Sequence, residues 1–434
     1  MGRLFVYFFL GSTAFAGIVR PWIGVTAIYL VVLMVPQDIW WWHFSGTRPV
    51  FTIMIPTLIG FFFFASTGGY NIRALFQKRY IYIMLLWLCY FLSYALGPYT
   101  DQVGPYRWFD PAWMMTNLSK MFVLFFVACL VIDDERKIKI FVSVLIFATL
   151  FLTYWINDQY LFQGRFGRIG GPQGLSGIGT YTDENSFAAF FVGGLPFLYY
   201  AGFVLKQRFF KYAFWLAIPL GWHAIFLTGS RGGLIAVCAC IMFIVYRSRK
   251  LSLGIIAVLL FSTAFIWQAG DVMKRRAGTI GDFAVEDSAR SRLEAWQAAI
   301  NMVKNYPLTG VGLASFGVAY PDHSDKKPRE AHNTFFQVIA ESGVAAGILY
   351  LMVLFAALRA AYQNSKMLKN DSENDYQIVM RYINEAAFTS LVGLSFCSAF
   401  LTMNLSELTY YIIAIIYIIQ NIIEKRDAAV NANP

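Results

Sequence analysis

The sequence predicts an all-α fold: a polytopic bundle of about 12–13 transmembrane helices with one large polar loop that carries an amphipathic helix. Three observations predict it. Of the 434 residues, 58% are hydrophobic and only 14% are charged, whereas an ordinary soluble domain has about 25% charged residues. Apolar stretches long enough to cross a bilayer recur along the chain. A long hydrophilic segment, residues 269–332, lies between two groups of them. This composition excludes a secreted disulfide scaffold, a disordered chain and a nucleic-acid-binding module.

Charged residues, glycine and proline bound the apolar stretches and predict where each span lies. The expected spans are residues 4–19, 22–35, 50–65, 80–96, 113–132, 138–156, 184–203, 212–228, 232–246, 252–268, 333–358, 386–401 and 406–423. The first two stretches are short, which is why the count is twelve or thirteen. The expected domains are N-terminal transmembrane helices (1–268), the large loop (269–332), C-terminal transmembrane helices (333–423) and a tail (424–434).

The distribution of Lys and Arg predicts the orientation in the membrane. Nineteen of them fall in one alternating set of loops, and six fall in the opposite set when the large loop is left aside. Cytoplasmic loops carry the excess of cationic residues in membrane proteins. We therefore expect the first set and the tail to be cytoplasmic, and the large loop to lie on the outer face. The net charge of +10 then reflects topology and not a nucleic-acid partner.

The cysteines predict neither a disulfide nor a metal site. All five lie within apolar runs, and no spacing of Cys and His resembles a set of metal ligands. Chemistry is therefore expected from arginine and histidine side chains on the outer face, where a charged group at the membrane boundary needs a partner.

The first candidate site is a glycine-rich run that begins near Arg168 and passes through Gly174, Gly177 and Gly179 to Asp183-Glu184-Asn185. Glycines let a backbone approach a ligand closely, and Asp183 is suited to cap the following helix. The pattern alone fits a flexible re-entrant loop with a capped helix about equally well.

A second candidate site is Thr228-Gly-Ser-Arg231-Gly-Gly, between two spans. A guanidinium group near the backbone N–H groups of a helix N-terminus suits a phosphate or pyrophosphate. The alternative is an arginine that extends to the lipid headgroups, but the flanking glycines favour a ligand.

The third candidate site is His332-Asn333, where the large loop re-enters the membrane. An imidazole at this boundary can meet both a hydrated acceptor and a lipid-borne donor, which suits general-base catalysis. A histidine at such a position is also often structural. Within the loop, the apolar residues from Arg292 to Val303 have helical spacing and predict an amphipathic helix that lies on the membrane or caps a cavity.

Taken together and in this order, these residues resemble the bacterial O-antigen ligase and O-antigen polymerase family of polytopic membrane glycosyltransferases. The resemblance covers about residues 138–360 and includes Arg292-Leu-Glu-Ala-Trp296 and Pro307-Leu-Thr-Gly-Val-Gly312. The N-terminal stretch from Arg20 to Gln37 is also similar to the ligase subgroup associated with exosortase systems.

The resemblance implies a location in the bacterial inner membrane, with the active site facing the periplasm. It implies transfer of a glycan from undecaprenyl pyrophosphate to a hydroxyl acceptor, such as lipid A-core or a protein, without a metal or other cofactor. The family's histidine corresponds to His332 and its diphosphate-binding arginines to Arg168 and Arg231. Four residues are assigned supporting roles: Arg292, Asn333, Asp183 and Asn185. Many relatives carry an Asn-Pro-Asn-like run where this chain has Asp183-Glu184-Asn185.

Three alternatives remain open on the sequence. A polymerase that adds repeat units to a lipid-linked glycan would share the chemistry and differ only in the acceptor. A protein O-oligosaccharyltransferase would use a Ser, Thr or Tyr hydroxyl. A polysaccharide transporter or flippase belongs to a different class, but it would more naturally spread ionisable residues through mid-span positions, whereas here they cluster at one face.

Overall fold

The structure, a computed structural model, describes residues 1–102, 110–174, 180–278, 287–368 and 375–432, and no β-strand occurs in these ranges. Its helices are α1 (Gly2–Val19), α2 (Pro21–Met34), α3 (Pro36–Ile39), α4 (Trp41–Phe44), α5 (Pro49–Ser66), α6 (Lys78–Leu96), α7 (Pro111–Val131), α8 (Glu135–Leu161), α9 (Glu184–Val204), α10 (Arg208–Thr228), α11 (Arg231–Ser248), α12 (Leu251–Gln268), α13 (Asp271–Gly278), α14 (Asp287–Asn305), α15 (Phe316–His323), α16 (Thr334–Met367), α17 (Asp375–Ser398) and α18 (Glu407–Ala432), with a 3₁₀ turn at Ile72–Phe76.

The expected polytopic all-α bundle is confirmed. Among the described residues, ten helices are long and apolar enough to cross a membrane, and two shorter apolar helices correspond to α2 and α12. A further helix, α17, lies where the span at residues 386–401 is expected. The chain is therefore a multi-pass membrane protein. Helix α18 continues to Ala432, through most of the residues expected to form the tail.

Helix α18 lies at the centre of the bundle because its apolar residues surround the whole helix. Nearly every residue from Leu408 to Ile419 is buried, and the tyrosines at 410, 411 and 417 are among the largest fully buried side chains. Neighbouring helices pack on all its sides. At one end of the bundle, Arg79 of α6 donates two hydrogen bonds of 2.8 Å to the Glu424 carboxylate and so ties α6 to α18.

The first two helices form a hairpin that packs on α5 through small residues. A Cβ atom added at Gly17 or Gly24 would collide with the hydroxyl of Thr57, and one added at Gly60 would collide with the backbone of Ile18. Small residues allow such close approach between helices in a membrane. The short predicted stretches are therefore two separate helices.

Helix α16 is bent at Gly343, whose φ of 83° and ψ of 171° are not helical. A side chain there would collide with the carbonyl group of Leu308. Only glycine fits this conformation readily. The bend gives the first part of α16 (residues 334–342) a direction of its own, so that it packs against the large loop.

The large loop has its own small hydrophobic core. Helix α14 buries Ala295, Ala298 and Met302 against Phe316 of α15 and Ala340 of α16, among other residues. The expected amphipathic helix is present, and its apolar face packs on protein. We call the end of the bundle that carries residues 269–278 and 287–333 the loop end, and the opposite end, which carries most of the described Lys and Arg side chains, the cationic end.

Candidate functional site

Arg168 lies at the loop end, where the glycine-rich segment crosses the end of α10. The backbone N–H of Ile169 donates to the carbonyl of Leu227 at 3.0 Å. The Arg168 Nε donates to the carbonyl of Thr228 at 3.0 Å, and its Nη2 lies 3.4 Å from the Asn185 Oδ1. These contacts fix the orientation of the guanidinium group, and the Arg168 side chain is still 27% exposed. Arg168 is thus held by α10 and α9 together while part of it faces the solvent.

The start of α9 supplies the acceptors beside this arginine. As expected, Asp183 caps α9: its Oδ1 accepts from the Ser186 N–H at 2.8 Å. Its other oxygen accepts from the Asn185 amide at 3.3 Å. Glu184 lies 3.4 Å from the Arg168 Nη2. Asp183, Asn185 and Arg168 therefore form one connected polar group.

The glycine-rich segment is also held from the N-terminal helices, by Asp38 of α3. The Asp38 carbonyl accepts from the Gly174 N–H at 3.1 Å, and its carboxylate accepts from the Thr180 N–H at 3.3 Å. Burial raises the pKa of Asp38 to about 6. Two glycines of the sequence pattern, Gly177 and Gly179, lie outside the described residues.

Arg231 is the first residue of α11, as the sequence predicted. Gly229 ends α10 in the left-handed conformation with φ of 63°, and the Ser230 hydroxyl caps α11 by accepting from the Gly233 N–H at 3.1 Å. Arg276 of α13 donates from Nε to the Gly229 carbonyl at 2.9 Å. The large loop is therefore attached to the same α10–α11 junction that presents Arg231.

His332 has a left-handed backbone with φ of 46°. Histidine adopts this conformation more readily than most residues, although it is uncommon. The preceding residue, Ala331, is buried and held from two sides: the Trp296 indole donates to its carbonyl at 2.9 Å, and its N–H donates to the Gln337 Oε1 at 3.1 Å. These contacts fix the backbone on which the imidazole is carried.

Trp296 and Gln337 have further contacts that make this support rigid. The Trp296 ring stacks on Phe336, with ring centroids 5.1 Å apart. The Gln337 amide donates to the Glu341 Oε1 at 2.7 Å. Helix α14 precedes His332 in the chain and α16 follows it. Both therefore hold the His332 segment in place.

The electrostatic surroundings of His332 favour a neutral imidazole. Burial lowers the pKa of His332, and the guanidinium groups of Arg292 and Arg329 lower it further, while the Asp183 carboxylate opposes them. Nearby, burial and the Asp183 carboxylate raise the pKa of Glu330. At neutral pH the imidazole can thus accept a proton. These interactions also place Asp183, and with it the Arg168 group, in the electrostatic surroundings of His332.

Asn333 has a visible structural role. Its Oδ1 caps α16 by accepting from the Phe336 N–H at 3.1 Å, and its Nδ2 donates to the Ala399 carbonyl at 3.1 Å. The Cβ atom of the next residue, Phe400, lies 3.1 Å from the position that a Cβ atom added at Gly232 would take. The turn at 399–400 therefore lies between the His332 segment and the start of α11.

The structure thus gathers the candidate residues at the loop end. Asp183, Asn185 and Arg168 are in contact, His332 lies in the field of Asp183 and Arg292, and Arg231 starts the helix beside them. Sequence reasoning missed Asp38, whose partners Gly174 and Thr180 are distant in the chain, and it missed Gln337. The spacing of Gln337 five residues after His332 placed it on the following helix, but nothing in the sequence indicated that it reaches back to Ala331.

Comparison with known proteins gives one family match. The model of a family described as O-antigen ligase matches residues 213–351. This region includes Arg231, Arg292, His332 and Asn333, whereas Arg168, Asp183 and Asn185 precede it. No curated protein matches the chain.

Proposed function

Since residues 213–351 place the chain in the O-antigen ligase family, we propose that it transfers a glycan from undecaprenyl pyrophosphate to a hydroxyl acceptor on the periplasmic face of the bacterial inner membrane. The family assignment makes it a glycosyltransferase-like ligase that acts on a glycan donor and an acceptor in a membrane. The specific donor, the orientation and the roles of individual residues are our proposal.

One observation carries the proposal: segments far apart in the chain bring two arginines and a base-competent histidine to the same end of the bundle. Arg168 is oriented by Thr228 and Asn185, and Arg231 begins α11 three residues after Thr228. The backbone of His332 is fixed through Ala331 by α14 and α16. A guanidinium fork suits a pyrophosphate, and a neutral imidazole suits a hydroxyl proton.

In the proposed reaction, the His332 imidazole takes the proton of the acceptor hydroxyl as that oxygen bonds to the anomeric carbon of the donor. The bond between the anomeric carbon and the pyrophosphate oxygen breaks at the same time. Arg168 and Arg231 stabilise the negative charge that develops on the departing undecaprenyl pyrophosphate. Guanidinium groups thereby supply the charge that a divalent cation supplies in other transferases. A single displacement inverts the anomeric configuration, and a product that retains it would count against this mechanism.

The proposed orientation rests on charge. The loops of the cationic end hold nineteen of the 35 Lys and Arg residues, which favours the cytoplasm for that end. The loop end then faces the periplasm, where a glycan already carried across the membrane would be available.

The test is complementation of a deletion strain with the wild type, His332→Asn, Arg168→Ala and Arg231→Ala at matched expression levels. Surface glycan and undecaprenyl-linked glycan are both quantified. Asparagine also tolerates the left-handed backbone of residue 332, so His332→Asn removes the base with little added strain. Arg165→Ala is the matched control, because Arg165 is an exposed arginine of the same segment.

We expect the three site variants to lose surface glycan while lipid-linked donor accumulates on the periplasmic side, and the control to behave as the wild type. Long accumulated chains indicate a ligase, single repeat units indicate a polymerase, and loss of glycan from a protein indicates a protein acceptor. Full activity of His332→Asn, or accumulation of donor on the cytoplasmic side as a transporter would give, contradicts the proposal.

A further inference from the structure

A polar cavity of about 300 Å³ lies at the cationic end, away from the site described above. Its walls come from the junction of α1 and α2, the end of α5 and the start of α8. The cavity is lined by Val19, Arg20, Pro21, Trp22, Phe64, Tyr70, Asp134, Arg136 and Lys137. A single water needs only about 10–15 Å³ of such space, so a phosphate group fits within it.

The cavity presents hydrogen-bond donors that the protein leaves unused. In the described part of the chain, neither Arg20 nor Arg136 forms an ion pair, and no hydrogen-bond acceptor is found for the Trp22 indole or the Tyr70 hydroxyl. The two arginines stand on different walls, at the start of α2 and in the first turn of α8. Two guanidinium groups with additional O–H and N–H donors form a set that suits an anion.

The acidic residues nearby are already engaged. Lys137 pairs with Asp133 and lies 3.4 Å from Asp134, and Asp134 also caps α8 by accepting from the Lys137 N–H at 2.9 Å. These carboxylates therefore neutralise Lys137, while Arg20 and Arg136 keep their charge. The result is a net positive cavity at the boundary where the apolar helices end.

The lip of the cavity continues onto apolar surface that faces lipid. Val19 is 50% exposed at the end of α1, and Phe62 and Phe63 are each 63% exposed at the end of α5. An acyl chain can lie on these side chains while its headgroup enters the cavity. A soluble anion would make no use of this surface.

We propose that this cavity binds the phosphate of an anionic phospholipid headgroup, with Arg20 and Arg136 as its charged ligands and Trp22 and Tyr70 as additional donors. Basic pockets between transmembrane helices bind such headgroups in other membrane proteins. The acyl chains lie along the exposed faces of α1 and α5. The lipid ties the N-terminal hairpin to α8 at the end of the bundle opposite the transfer site.

The test uses the full-length protein in detergent micelles supplied with phosphatidylglycerol, and native mass spectrometry counts the retained lipids. We expect Arg20→Gln/Arg136→Gln to lower the apparent affinity for phosphatidylglycerol about thirtyfold, from the typical contribution of two basic residues. The matched control is Lys78→Gln/Arg208→Gln, which removes two exposed charges from the same end of the bundle and should leave the affinity within about twofold.

Arg136→Gln alone, which changes one exposed side chain, provides a second variant and should weaken binding about fivefold. Unchanged retention in both the double and the single variant overturns the proposal, as does an equal loss in the control. A third arm adds inorganic phosphate. If millimolar phosphate displaces the lipid, or binds while phosphatidylglycerol does not, the cavity is a site for a soluble anion and the lipid assignment is wrong. Because none of these residues belongs to the transfer site, this outcome is independent of the proposed activity.

Discussion

At the scale of single residues, the site depends on how His332 is held and charged. Its left-handed backbone makes residue 332 a position that few side chains occupy without strain. The hydrogen bonds to both sides of Ala331 keep that backbone in place. Removal of the imidazole and distortion of the backbone can therefore be separated by the choice of substitution, which is why asparagine is preferable to alanine here.

The charges around His332 predict the pH dependence of transfer. Its pKa lies below the ordinary 6.5, so the imidazole remains neutral, and in the proposed mechanism able to act as a base, until the pH falls below that value. We expect the acidic limb of the rate profile to lie below pH 6.5. Because Arg292 lowers this pKa and Asp183 raises it, Arg292→Gln should move the limb to higher pH and Asp183→Asn to lower pH. The measurement is the initial rate of transfer by purified enzyme between about pH 4.5 and 8, an interval that brackets the ordinary histidine pKa.

Arg165→Gln serves as the control for a general change in charge and should leave the limb in place. A lower maximal rate in Arg292→Gln or Asp183→Asn does not affect the test, because only the position of the acidic limb is compared. If Arg292→Gln and Asp183→Asn moved the acidic limb in the same direction, a group other than His332 would be responsible for it. An acidic limb above pH 6.5 in the wild type would show the same.

Part of this site could be predicted from the sequence. Asp183 stands directly before an apolar stretch, so its role as a helix cap was evident, and the position of Arg231 at the start of α11 followed from the glycines around it. The contacts of Asp38 with Thr180 and of Gln337 with Ala331 could not be predicted. Asp38 and Thr180 belong to segments whose relative placement depends on the packing of the whole bundle. Gln337 is only six residues from Ala331, but their contact depends on the left-handed turn at His332.

At the scale of helices, the positions of the spans could be predicted because a membrane requires long apolar stretches and their ends coincide with charged residues, glycine or proline. The bend of α16 could not be predicted from the sequence. The sequence near Gly343 reads as a continuous helix, and the bend occurs where the backbone of Leu308 leaves no space for a side chain at residue 343. The short helices α3 and α4 and the separate core of the large loop likewise depend on tertiary contacts.

Helix α14 gives a test of how the His332 segment is positioned. Trp296→Phe keeps an aromatic ring against Phe336 but removes the 2.9 Å hydrogen bond to Ala331. One such bond contributes about 1 kcal/mol, so we expect kcat to fall about fivefold with little change in the KM for the donor. Because Arg292 lies on the same helix, the acidic limb of the pH profile should also move to higher pH.

Trp267→Phe is the matched control, since Trp267 is 86% exposed at the end of α12. A merely structural role for Trp296 would lower the amount of folded protein without moving the limb. A normal kcat in Trp296→Phe would show that this hydrogen bond does not position His332.

At the scale of the whole molecule, a count of thirteen spans would place the two ends of the chain on opposite sides of the membrane, whereas twelve would place them on the same side. The close packing of Gly17 and Gly24 around Thr57 supports a complete hairpin of α1 and α2. With the cationic end in the cytoplasm, we expect Arg3 and Lys326 to face the periplasm and Arg208 the cytoplasm.

Cysteine labelling in spheroplasts tests this arrangement. A membrane-impermeant maleimide should label Arg3→Cys and Lys326→Cys in intact spheroplasts, and Arg208→Cys only after lysis. The five native cysteines are buried or half-buried and provide the background in the unsubstituted protein. Protection of Arg3→Cys until lysis would mean that α1 or α2 does not cross the membrane, and labelling of Arg208→Cys without lysis would reverse the orientation.

The attachment of α14 to Ala331 has one more consequence. Helix α14, which holds the backbone beside His332, also carries Arg292, whose charge lowers the pKa of His332. The position of the helix and the proton affinity of the imidazole are therefore coupled. A bulky glycan that lifts α14 away from Ala331 would take a positive charge with it and make the imidazole a stronger base. A small acceptor that leaves α14 in contact with Ala331 would meet an imidazole that is a weaker base. If His332 acts as proposed, the strength of the base would therefore depend on the size of the substrate.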